Sequence, residues 1–452
     1  MNVKIGLETH VTLSTKTKLF CSCKKGEVCP ICMGFPGVKP RVNRKAVILA
    51  IQIAKILNCE IANNLVFDRK SYFYPDLPKG FQITQYHEPL AKNGFFEFNF
   101  KGEKRRVTIT RVNIEEDPAK IIHENIATEK SILIDFSRSG NPLCEIVTAP
   151  ELKSPQEAKE YILALQEVLD YYEVIDTHED AVFRSDANVS IENGERVEIK
   201  NITGAEELEK ALDYEIKRQS FLLSLGKKAE RETRGFDGKV TFTLRKKEEE
   251  EDYGYIQEPD ILPISLKELK EEAFRIMKKP IEEEAERITK TYRINFQIAR
   301  IIVRKKLAEY FEEAAKYFND YSILSKFLVV DFLKCLNYSK KKANETIKPE
   351  EVAKLLKNAS IREAKELIKE MVKDNKTFEE IENERKQKIK QKTIEEVFEE
   401  ILKNEKVKEA IKQLRRGNKK AENFIIGEML KQSYYKFTVN QIRKFLEEEI
   451  KY

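Results

Sequence analysis

The sequence predicts an α+β protein, in which a first part built on a mixed or antiparallel sheet is followed by a helical part. Fourteen of the sixteen glycines lie at or before Gly254, and twelve of the fourteen prolines lie at or before Pro263. Glycine and proline mark turns between short elements, whereas long stretches without them favour helices. Period-two alternation in the first part and helical periodicity in the second agree with this division. We expect domains at 1–283, 284–392 and 393–452.

The first strand carries two groups that can bind a cation. Val3, Ile5, Leu7, Val11 and Leu13 fall on odd positions, which is the pattern of a half-buried strand. Glu8 and His10 are two residues apart and therefore project from the same face. A carboxylate and an imidazole side by side can bind a cation or share a proton.

A cluster of cysteines follows this strand: Cys21, Cys23, Cys29 and Cys32. The segment 29–34 is typical of a zinc knuckle, because its proline fixes one φ and its glycine permits a tight turn. Four sulfurs satisfy tetrahedral Zn²⁺, and a closed site of this kind is structural. A disulfide pair is the alternative, but seven cysteines and no secretory signal fit it less well. The C-x-C spacing is the less common one and leaves room for a partly occupied site.

Composition limits the class of protein. A chain of 452 residues corresponds to about three domains. Charged residues make up 35% of the chain, yet the net charge is only +5, so the surface is compatible with nucleic acid without requiring it. No run of eighteen apolar residues and no secretory signal occurs, so we expect no membrane span and a cytoplasmic protein.

Residues 68–86 interleave basic and aromatic side chains around two prolines. Such a loop can pair with phosphates and stack on bases. An ordinary loop, with its aromatic residues in the core and its lysines in solvent, explains the pattern equally well.

Two further segments supply carboxylates. A β-branched strand that begins at Val107 ends on Glu115, Glu116 and Asp117. Mg²⁺ is usually held by one or two carboxylates in such a position, together with water. Glu145 stands alone in an apolar run typical of a buried strand, and a buried glutamate is rare unless it is paired or bound to metal.

Alternation returns at Val182–Ile191, where Arg184, Asp186 and Asn188 share one face. Lys200 lies on the polar face of the strand that follows. An ordinary solvated sheet surface is the simpler interpretation of these polar residues.

The remainder of the chain has the pattern of amphipathic helices, with capping boxes at Thr393 and Thr438. A basic loop at 412–420 joins two of these helices. It can contact an RNA backbone by shape, although charge runs are more often only solvated. Its candidate contacts are Arg415, Arg416, Lys419 and Lys420.

Eight motifs occur in the order found in one family: GLETH, FCSCKKGEVCPICMGFPG, FDRKSYFYPDLPKGFQITQ, TRVNIEED, SGNPLCEIV, SDANVSI, ETRGFD and YIQEPDILP. The chain resembles the GatB branch of the GatB/GatE family over nearly its whole length. It has no room for the domain that is normally inserted in GatE. The resemblance implies a cradle domain with the zinc knuckle, then a helical domain and a small YqeY-like helical tail.

The resemblance also implies a carbon–nitrogen ligase of protein biosynthesis. ATP phosphorylates the side-chain carboxylate of aspartate or glutamate mischarged on tRNA(Asn) or tRNA(Gln), and ammonia then displaces the phosphate. The implied partners are the glutaminase GatA, which supplies the ammonia, and GatC, in a heterotrimer. Phosphoryl transfer needs mainly a metal clamp and positioning. No Walker A run occurs, so a cradle particular to the family must hold ATP.

The residues match this chemistry position by position. The catalytic Mg²⁺ site of the family falls on His10, Glu116 and Glu145, and Glu8 and Asp186 fall where a second cation is associated.

Lys79, Arg184 and Lys200 are the candidates for contacts with phosphate or the tRNA end. Asn113 departs from the histidine usual in the family, and residues 202–205 depart from the usual run after Asn201.

A zinc-stabilised tRNA-binding protein without catalysis is the alternative function. It explains the cysteine cluster and the basic loop. It does not explain converging carboxylates, which repel a polyanion unless a cation lies between them.

Overall fold

The computed structural model describes residues 2–72, 74–126, 129–175, 183–192, 194–246, 254–391, 393–415, 418–433 and 437–450. The chain divides into two compact units, Met1–Lys279 and Pro280–Tyr452. Every described strand belongs to the first unit, and the second unit is helical. The expected α+β class, with a sheet-rich first part and a helical remainder, is therefore confirmed. The division of the helical part into two domains stays a prediction.

Nine strands form the main sheet: β1 (Val3–Thr12), β2 (Glu60–Ile61), β6 (Ala91–Phe100), β7 (Glu103–Glu116), β10 (Pro142–Thr148), β11 (Phe183–Ile191), β12 (Val197–Thr203), β13 (Glu232–Phe236) and β14 (Thr241–Lys246). Their order is β14-β13-β12-β11-β1-β10-β7-β6-β2. Neighbours run antiparallel except β12 and β13, which are parallel. The sheet is thus mixed, and β1 lies at its centre.

Three smaller sheets complete the first unit. Their strands are β4 (Asp68–Ser71), β5 (Phe81–Thr84) and β15 (Gly254–Gln257); β3 (Asn64–Leu65) and β16 (Ile264–Ser265); and the hairpin of β8 (Lys120–Ile126) and β9 (Glu129–Asp135). The predicted loop at 68–86 therefore contains two paired strands, β4 and β5.

The helices of the first unit are α1 (Arg44–Ile56), α2 (Pro155–Tyr171), α3 (Ala205–Ser224) and α4 (Lys267–Ile276). Those of the second unit are α5 (Ile281–Tyr292), α6 (Phe296–Arg304), α7 (Ala308–Ala315), α8 (Tyr321–Phe327), α9 (Leu333–Ser339), α10 (Pro349–Asn358), α11 (Ile361–Asp374), α12 (Phe378–Gln391), α13 (Ile394–Ile401), α14 (Glu405–Arg415), α15 (Lys419–Gln432) and α16 (Val439–Glu449). A π-helical turn, Leu328–Phe332, joins α8 to α9.

One face of the main sheet is apolar and is covered by α1, α2 and α3, which pack on β6, β7, β11 and β12. Ile5, Leu7 and Val11 of β1 are buried in this core, as the alternation of β1 predicts. The opposite face of β1 carries Glu8 and His10. The apolar core therefore decides which face of the sheet is polar.

The helix starts predicted at Thr393 and Thr438 are confirmed. The Ser154 hydroxyl also accepts a hydrogen bond from the backbone of Glu157 and caps α2. Capping boxes begin α13 at Thr393 and α16 at Thr438, and each satisfies backbone N–H groups that the first turn leaves free. Helices α13 to α16 enclose an apolar cluster of their own.

Burial differs between the two sides of the π-helical turn. Leu328 and Phe332 are buried, but Val330 is 59% exposed. Val330 therefore lies on the side of the turn that faces solvent. Among the described residues, no helix is both long and apolar enough to cross a membrane.

Tyr161 provides a test of the packing on the main sheet. Its ring is fully buried and meets the rings of Phe96 and Phe98 edge to face, each at 5.8 Å between centroids. Its buried hydroxyl has no hydrogen-bond partner among the described groups. Because an unpaired buried hydroxyl is destabilising, Tyr161→Phe should raise the free energy of unfolding by about 1 kcal/mol in denaturant titration. Tyr161→Leu, which removes the ring, should lower it. A lower stability for Tyr161→Phe would show that the hydroxyl has a partner.

Candidate functional site

The two ladders of β1 assemble the polar face of the main sheet. His10 lies opposite Glu145 of β10 and opposite Arg184 of β11, and Glu8 lies opposite Asp186 of β11. Directly opposed residues in an antiparallel pair project from the same face with their side chains in reach of each other. Five of the predicted site residues therefore meet on this face.

His10 lies between two carboxylates that are largely shielded from solvent. Its Nε2 is 3.1 Å from Oε1 of Glu115 and 3.9 Å from Oε1 of Glu145. The Thr84 hydroxyl donates to Oε2 of Glu115 at 2.9 Å, and the Asn113 side-chain amide donates to Oε2 of Glu145 at 2.7 Å. The side chains of Glu115 and Glu145 are only 8% and 12% exposed. An imidazole nitrogen and two carboxylate oxygens form a ligand set that fits a divalent cation.

The charges of this trio depend on one another. Burial alone would lower the pKa of His10, but the hydrogen bond to Glu115 and the neighbouring carboxylates raise it to about 9. Burial raises the pKa of Glu115, but its contacts with His10 leave that pKa below the usual value. Burial and the charge of Glu115 raise the pKa of Glu145. Protonated His10 is thus the counter-charge within the trio, and a bound cation would take its place because metal ligation requires the neutral imidazole.

Glu116 lies apart from this trio. Its Oε2 accepts a hydrogen bond from Lys79 Nζ at 2.5 Å, and its Oε1 accepts one from the backbone N–H of Ile83 at 2.8 Å. Successive residues of a strand point to opposite faces, so Glu115 and Glu116 diverge. The structure brings Glu115, and not Glu116, to His10 and Glu145.

An irregularity in β7 explains why the sequence did not distinguish the two glutamates. The register with β10 shifts next to Val147 and Thr148. Before the shift, the core residues of β7 have odd numbers, Val107 and Ile109. After it they have even numbers, Val112 and Ile114. A bulge reverses the alternation in this way. The apolar residues at 112 and 114, alternating with polar neighbours, were the signal that Glu115 faces the polar side.

A second acidic group lies beside the trio. Glu8, Asp186 and Glu198 each offer a carboxylate oxygen within 4.8 Å of the others. Lys200 Nζ is 2.6 Å from Oδ2 of Asp186 and 2.7 Å from Oε1 of Glu198. Burial alone would lower the pKa of Lys200, but Asp186 and Glu198 raise it well above its usual value. The ammonium of Lys200 therefore neutralises part of this group. Glu198 was not predicted as a site residue, although the alternation of β12 places it on the polar face.

The predicted phosphate ligands are all engaged in ion pairs. Lys79 binds Glu116, Lys200 binds Asp186 and Glu198, and Arg184 Nη2 donates to Oδ1 of Asp117 at 2.8 Å. An incoming phosphate would have to compete with these carboxylates.

The predicted tRNA contacts in the tail are described only in part. Arg415, the last residue of α14, is exposed. Arg416 lies outside the described residues, and so do the side chains of Lys419 and Lys420 at the start of α15.

The segment 68–86 contributes one wall of a cavity of about 170 Å³. The Arg69 guanidinium lies over the Phe81 ring at 4.3 Å and donates from Nε to Oε2 of Glu258 at 2.8 Å. Lys79 and Glu116 line the same cavity, as do Cys21 and Cys32. Tyr74 is exposed, and Phe73 lies outside the described residues. The aromatic residues of this segment thus divide between packing and solvent.

The four clustered cysteines converge on one point. The Sγ atoms of Cys21, Cys23, Cys29 and Cys32 all lie within 4.8 Å of one another. The backbone N–H of Cys29 donates to Sγ of Cys32 at 3.1 Å. Four sulfurs at Zn–S distances of about 2.3 Å fit within this spacing, so the donor set suits a structural zinc ion.

Lys18 supplies an independent indication that these sulfurs carry negative charge. Its side chain is fully buried, and its Nζ donates to Sγ of Cys32 at 3.7 Å. No other hydrogen bond from this ammonium reaches a described residue. A buried ammonium is unfavourable without a counter-charge. Burial raises the pKa of Cys21 to about 12, so thiols without a bound metal would be neutral there. A metal-bound set of thiolates fits the position of Lys18 better than neutral thiols do.

Comparison with known proteins gives one consistent result. Residues 3–272 match the GatB/GatE catalytic domain, and residues 309–450 match a GatB domain. The chain is 40% identical to the B subunit of the aspartyl/glutamyl-tRNA(Asn/Gln) amidotransferase from Saccharolobus solfataricus, over 95% of this chain and 96% of that protein. The protein of the same name from Carboxydothermus hydrogenoformans is 36% identical, over 99% and 98%. The one from Sulfurisphaera tokodaii is 42% identical, over 85% and 86%.

Loss of a cysteine from the cluster should release zinc and destabilise the fold. Cys29→Ser and Cys32→Ser should each contain less than one zinc per chain by elemental analysis and should melt about 5–10 °C lower than wild type. Cys335 lies in the helical unit, so Cys335→Ser is the control. It should keep the zinc content and the melting temperature of wild type. Melting of both cluster variants at the wild-type temperature would exclude a structural zinc site.

Removal of the Lys18 charge should weaken zinc binding without removing a ligand. Lys18→Met keeps the length of the buried side chain but leaves the thiolates without their counter-charge, so zinc affinity should fall about tenfold in competition with a chromophoric chelator. Lys24→Met, at an exposed position of the same loop, is the control. Unchanged affinity in Lys18→Met would show that the ammonium does not balance the cluster.

Proposed function

The chain belongs to the GatB/GatE family as a B subunit of the tRNA-dependent amidotransferase, and from that premise we propose that the polar face of its main sheet performs both steps of amidation. In the first step, a side-chain carboxylate oxygen of aspartate or glutamate on a mischarged tRNA attacks the γ-phosphorus of ATP, and ADP leaves. In the second step, ammonia attacks the acyl phosphate and inorganic phosphate leaves. The products are asparaginyl-tRNA(Asn) or glutaminyl-tRNA(Gln).

The observation that carries this proposal is the trio of His10, Glu115 and Glu145, whose side chains are 22%, 8% and 12% exposed. Buried carboxylates on a surface that receives a polyanion are unfavourable unless a cation lies between them. We therefore assign Mg²⁺ to this trio, with Glu115 in the position that the family resemblance assigned to Glu116. Mg²⁺ held there would neutralise charge on the transferring phosphoryl group.

The second acidic group has a supporting role in the proposal. Lys200 holds Asp186 and Glu198 together, and Asn188 donates to Oε1 of Glu8 at 3.0 Å. These contacts orient the carboxylates beside the trio. A second cation bound by Glu8 and Asp186 would require the ammonium of Lys200 to move, because the cation and the ammonium would contact the same carboxylates.

Glu116, Lys79 and Arg184 are assigned to positioning. The Lys79–Glu116 pair closes one side of the cavity beside the cysteine cluster, and Arg184 fixes Asp117 at the end of β7. Lys79 and Arg184 are also candidates for contacts with the phosphates of ATP or of the tRNA end. Each would then bind a phosphate in addition to its carboxylate partner, Glu116 or Asp117.

The assembly is proposed from the family resemblance. It assigns the release of ammonia from glutamine to GatA and makes GatC the third member of a cytoplasmic heterotrimer. The exposed Arg415 and its basic neighbours are assigned to the tRNA body. The non-catalytic tRNA-binding alternative accounts for the cysteine cluster but gives no role to the trio of His10, Glu115 and Glu145.

A pair of neighbouring glutamates tests the proposal. We expect Glu115→Gln, in the complex with GatA and GatC and with free ammonium as nitrogen donor, to bind mischarged tRNA normally. It should lose about 10²–10³-fold in both ATP cleavage and amide formation, because a ligand of the cation is gone. Free ammonium removes the glutaminase from the measurement.

Glu116→Gln is the matched control, because its carboxylate contacts Lys79 and the backbone of Ile83 instead of His10. It should keep activity within about tenfold of wild type, since it removes one ion pair and no ligand of the cation. Full activity of Glu115→Gln would refute the assigned site. A wild-type complex that binds mischarged tRNA and never consumes ATP would favour the binding protein without catalysis.

A further inference from the structure

Arg111 differs from the other basic residues that serve the polar face. Lys79, Arg184 and Lys200 each make an ion pair of 2.8 Å or shorter with a buried carboxylate. The Arg111 side chain makes no hydrogen bond to any described residue, and its Nε is buried without a partner. Its nearest charged contact is Oε2 of Glu145, 4.0 Å from Nε, which is too far for a hydrogen bond. A guanidinium is therefore held on this face with its donors available.

The register places Arg111 beside the trio. It lies on β7 opposite Val147 of β10, which in turn lies opposite Glu8 of β1. It is two residues from Asn113 and four from Glu115, so all three share the polar face. The Arg111 side chain is 41% exposed, so the end of its guanidinium is open to a ligand while its Nε is not.

Glu145 cannot fully satisfy Arg111 when the site is loaded. Its Oε2 already accepts the 2.7 Å hydrogen bond from Asn113. A carboxylate that also ligates a cation has its charge neutralised by that cation and attracts a nearby guanidinium less. Binding of the cation would therefore leave Arg111 as the free positive group next to the reacting atoms.

The acceptor carboxylate of the substrate needs such a group. It must approach a face that already holds the carboxylates of Glu8, Glu115, Glu145 and Asp186. The phosphates of ATP have the cation to offset this repulsion, whereas the substrate carboxylate does not. The planar fork of a guanidinium binds a carboxylate through two parallel hydrogen bonds.

We propose that Arg111 binds the side-chain carboxylate of the aminoacyl group and presents one of its oxygens to the γ-phosphorus. This assignment rests on the proposed function. Arg111 forms and breaks no covalent bond and transfers no proton: the new O–P bond forms as the bond between the γ-phosphorus and the bridging oxygen of ADP breaks. When ammonia later displaces the phosphate, the carboxylate charge disappears and the neutral amide is released from the guanidinium.

Substitution of Arg111 tests this role in the complex with GatA and GatC, with ATP, mischarged tRNA and free ammonium. Arg111→Gln should lower amide formation about 100-fold, because a charge-assisted bidentate contact is lost. The dissociation constants for ATP and for tRNA should stay within about threefold of wild type, because Arg111 is assigned to the substrate carboxylate and not to the phosphates of ATP, and the tRNA body dominates tRNA affinity. Arg111→Lys should restore part of the rate.

Chemical rescue distinguishes a contact with substrate from a structural role. Methylguanidinium should raise the rate of Arg111→Ala at least about tenfold, since it can occupy the space of the missing side chain. Lys92→Gln is the matched control: Lys92 lies directly opposite Arg111 on β6, is exposed, and is one strand further from Glu145. It should have wild-type activity.

Three results would overturn the assignment. One is a rate for Arg111→Gln equal to that of Lys92→Gln. Another is an ATP dissociation constant that rises in parallel with the loss of rate, which would make phosphate the bound anion. The third is a lowered melting temperature without rescue by methylguanidinium. Glu115→Gln in the same assay separates the two proposals: if it is inactive while Arg111→Gln is active, only the role of Arg111 fails, and if it is active, the site itself fails.

Discussion

Strand β1 is paired along both of its edges, and the rest of the site depends on the register of those two ladders. Ile5, Leu7 and Val11 must lie on the core side of the sheet, and His10 therefore lies opposite Glu145 and Arg184. Because the side-chain period of a strand is two, a slip of one residue would bury the charged residues and expose the apolar ones. Hydrophobic burial on one face thus fixes the positions of the polar groups on the other.

The polar face concentrates negative charge and compensates for it locally. His10 lies between Glu115 and Glu145, Lys200 lies between Asp186 and Glu198, and Arg184 binds Asp117. Each of these carboxylates is thus held in place by a basic side chain of the chain. Such pairs position side chains more than they stabilise the fold, since desolvation offsets much of their attraction. Arg111 makes no such close pair, since its contact with Glu145 is 4.0 Å long. The trio has the donor atoms to exchange a proton on His10 for a metal ion. These two features give the face its capacity to accept anionic substrates.

Much of this arrangement could be predicted from local patterns. Alternation identified β1 and β11 and the face on which Glu8, His10 and Asp186 lie. The capping boxes located the starts of α13 and α16. The cysteine spacing predicted a cluster, and the four sulfur atoms do converge in the structure. The choice between Glu115 and Glu116 depended on a bulge in β7, which is set by pairing with β10 and leaves only a weak local signal. The burial of Lys18 beside Cys32 and the unpaired Nε of Arg111 are properties of tertiary packing, which no spacing of residues in the sequence encodes.

A divalent cation bound by His10, Glu115 and Glu145 is tested most directly by crystallography of the complex with Mn²⁺ and a non-hydrolysable ATP analogue, using anomalous scattering to locate the metal. We expect an anomalous peak on the polar face, about 2.0–2.3 Å from Nε2 of His10 and from one oxygen each of Glu115 and Glu145. The side chain of Glu116 should remain with Lys79. A peak ligated by Glu116, or no peak beside His10 when the nucleotide analogue is bound, would contradict the assignment of the site.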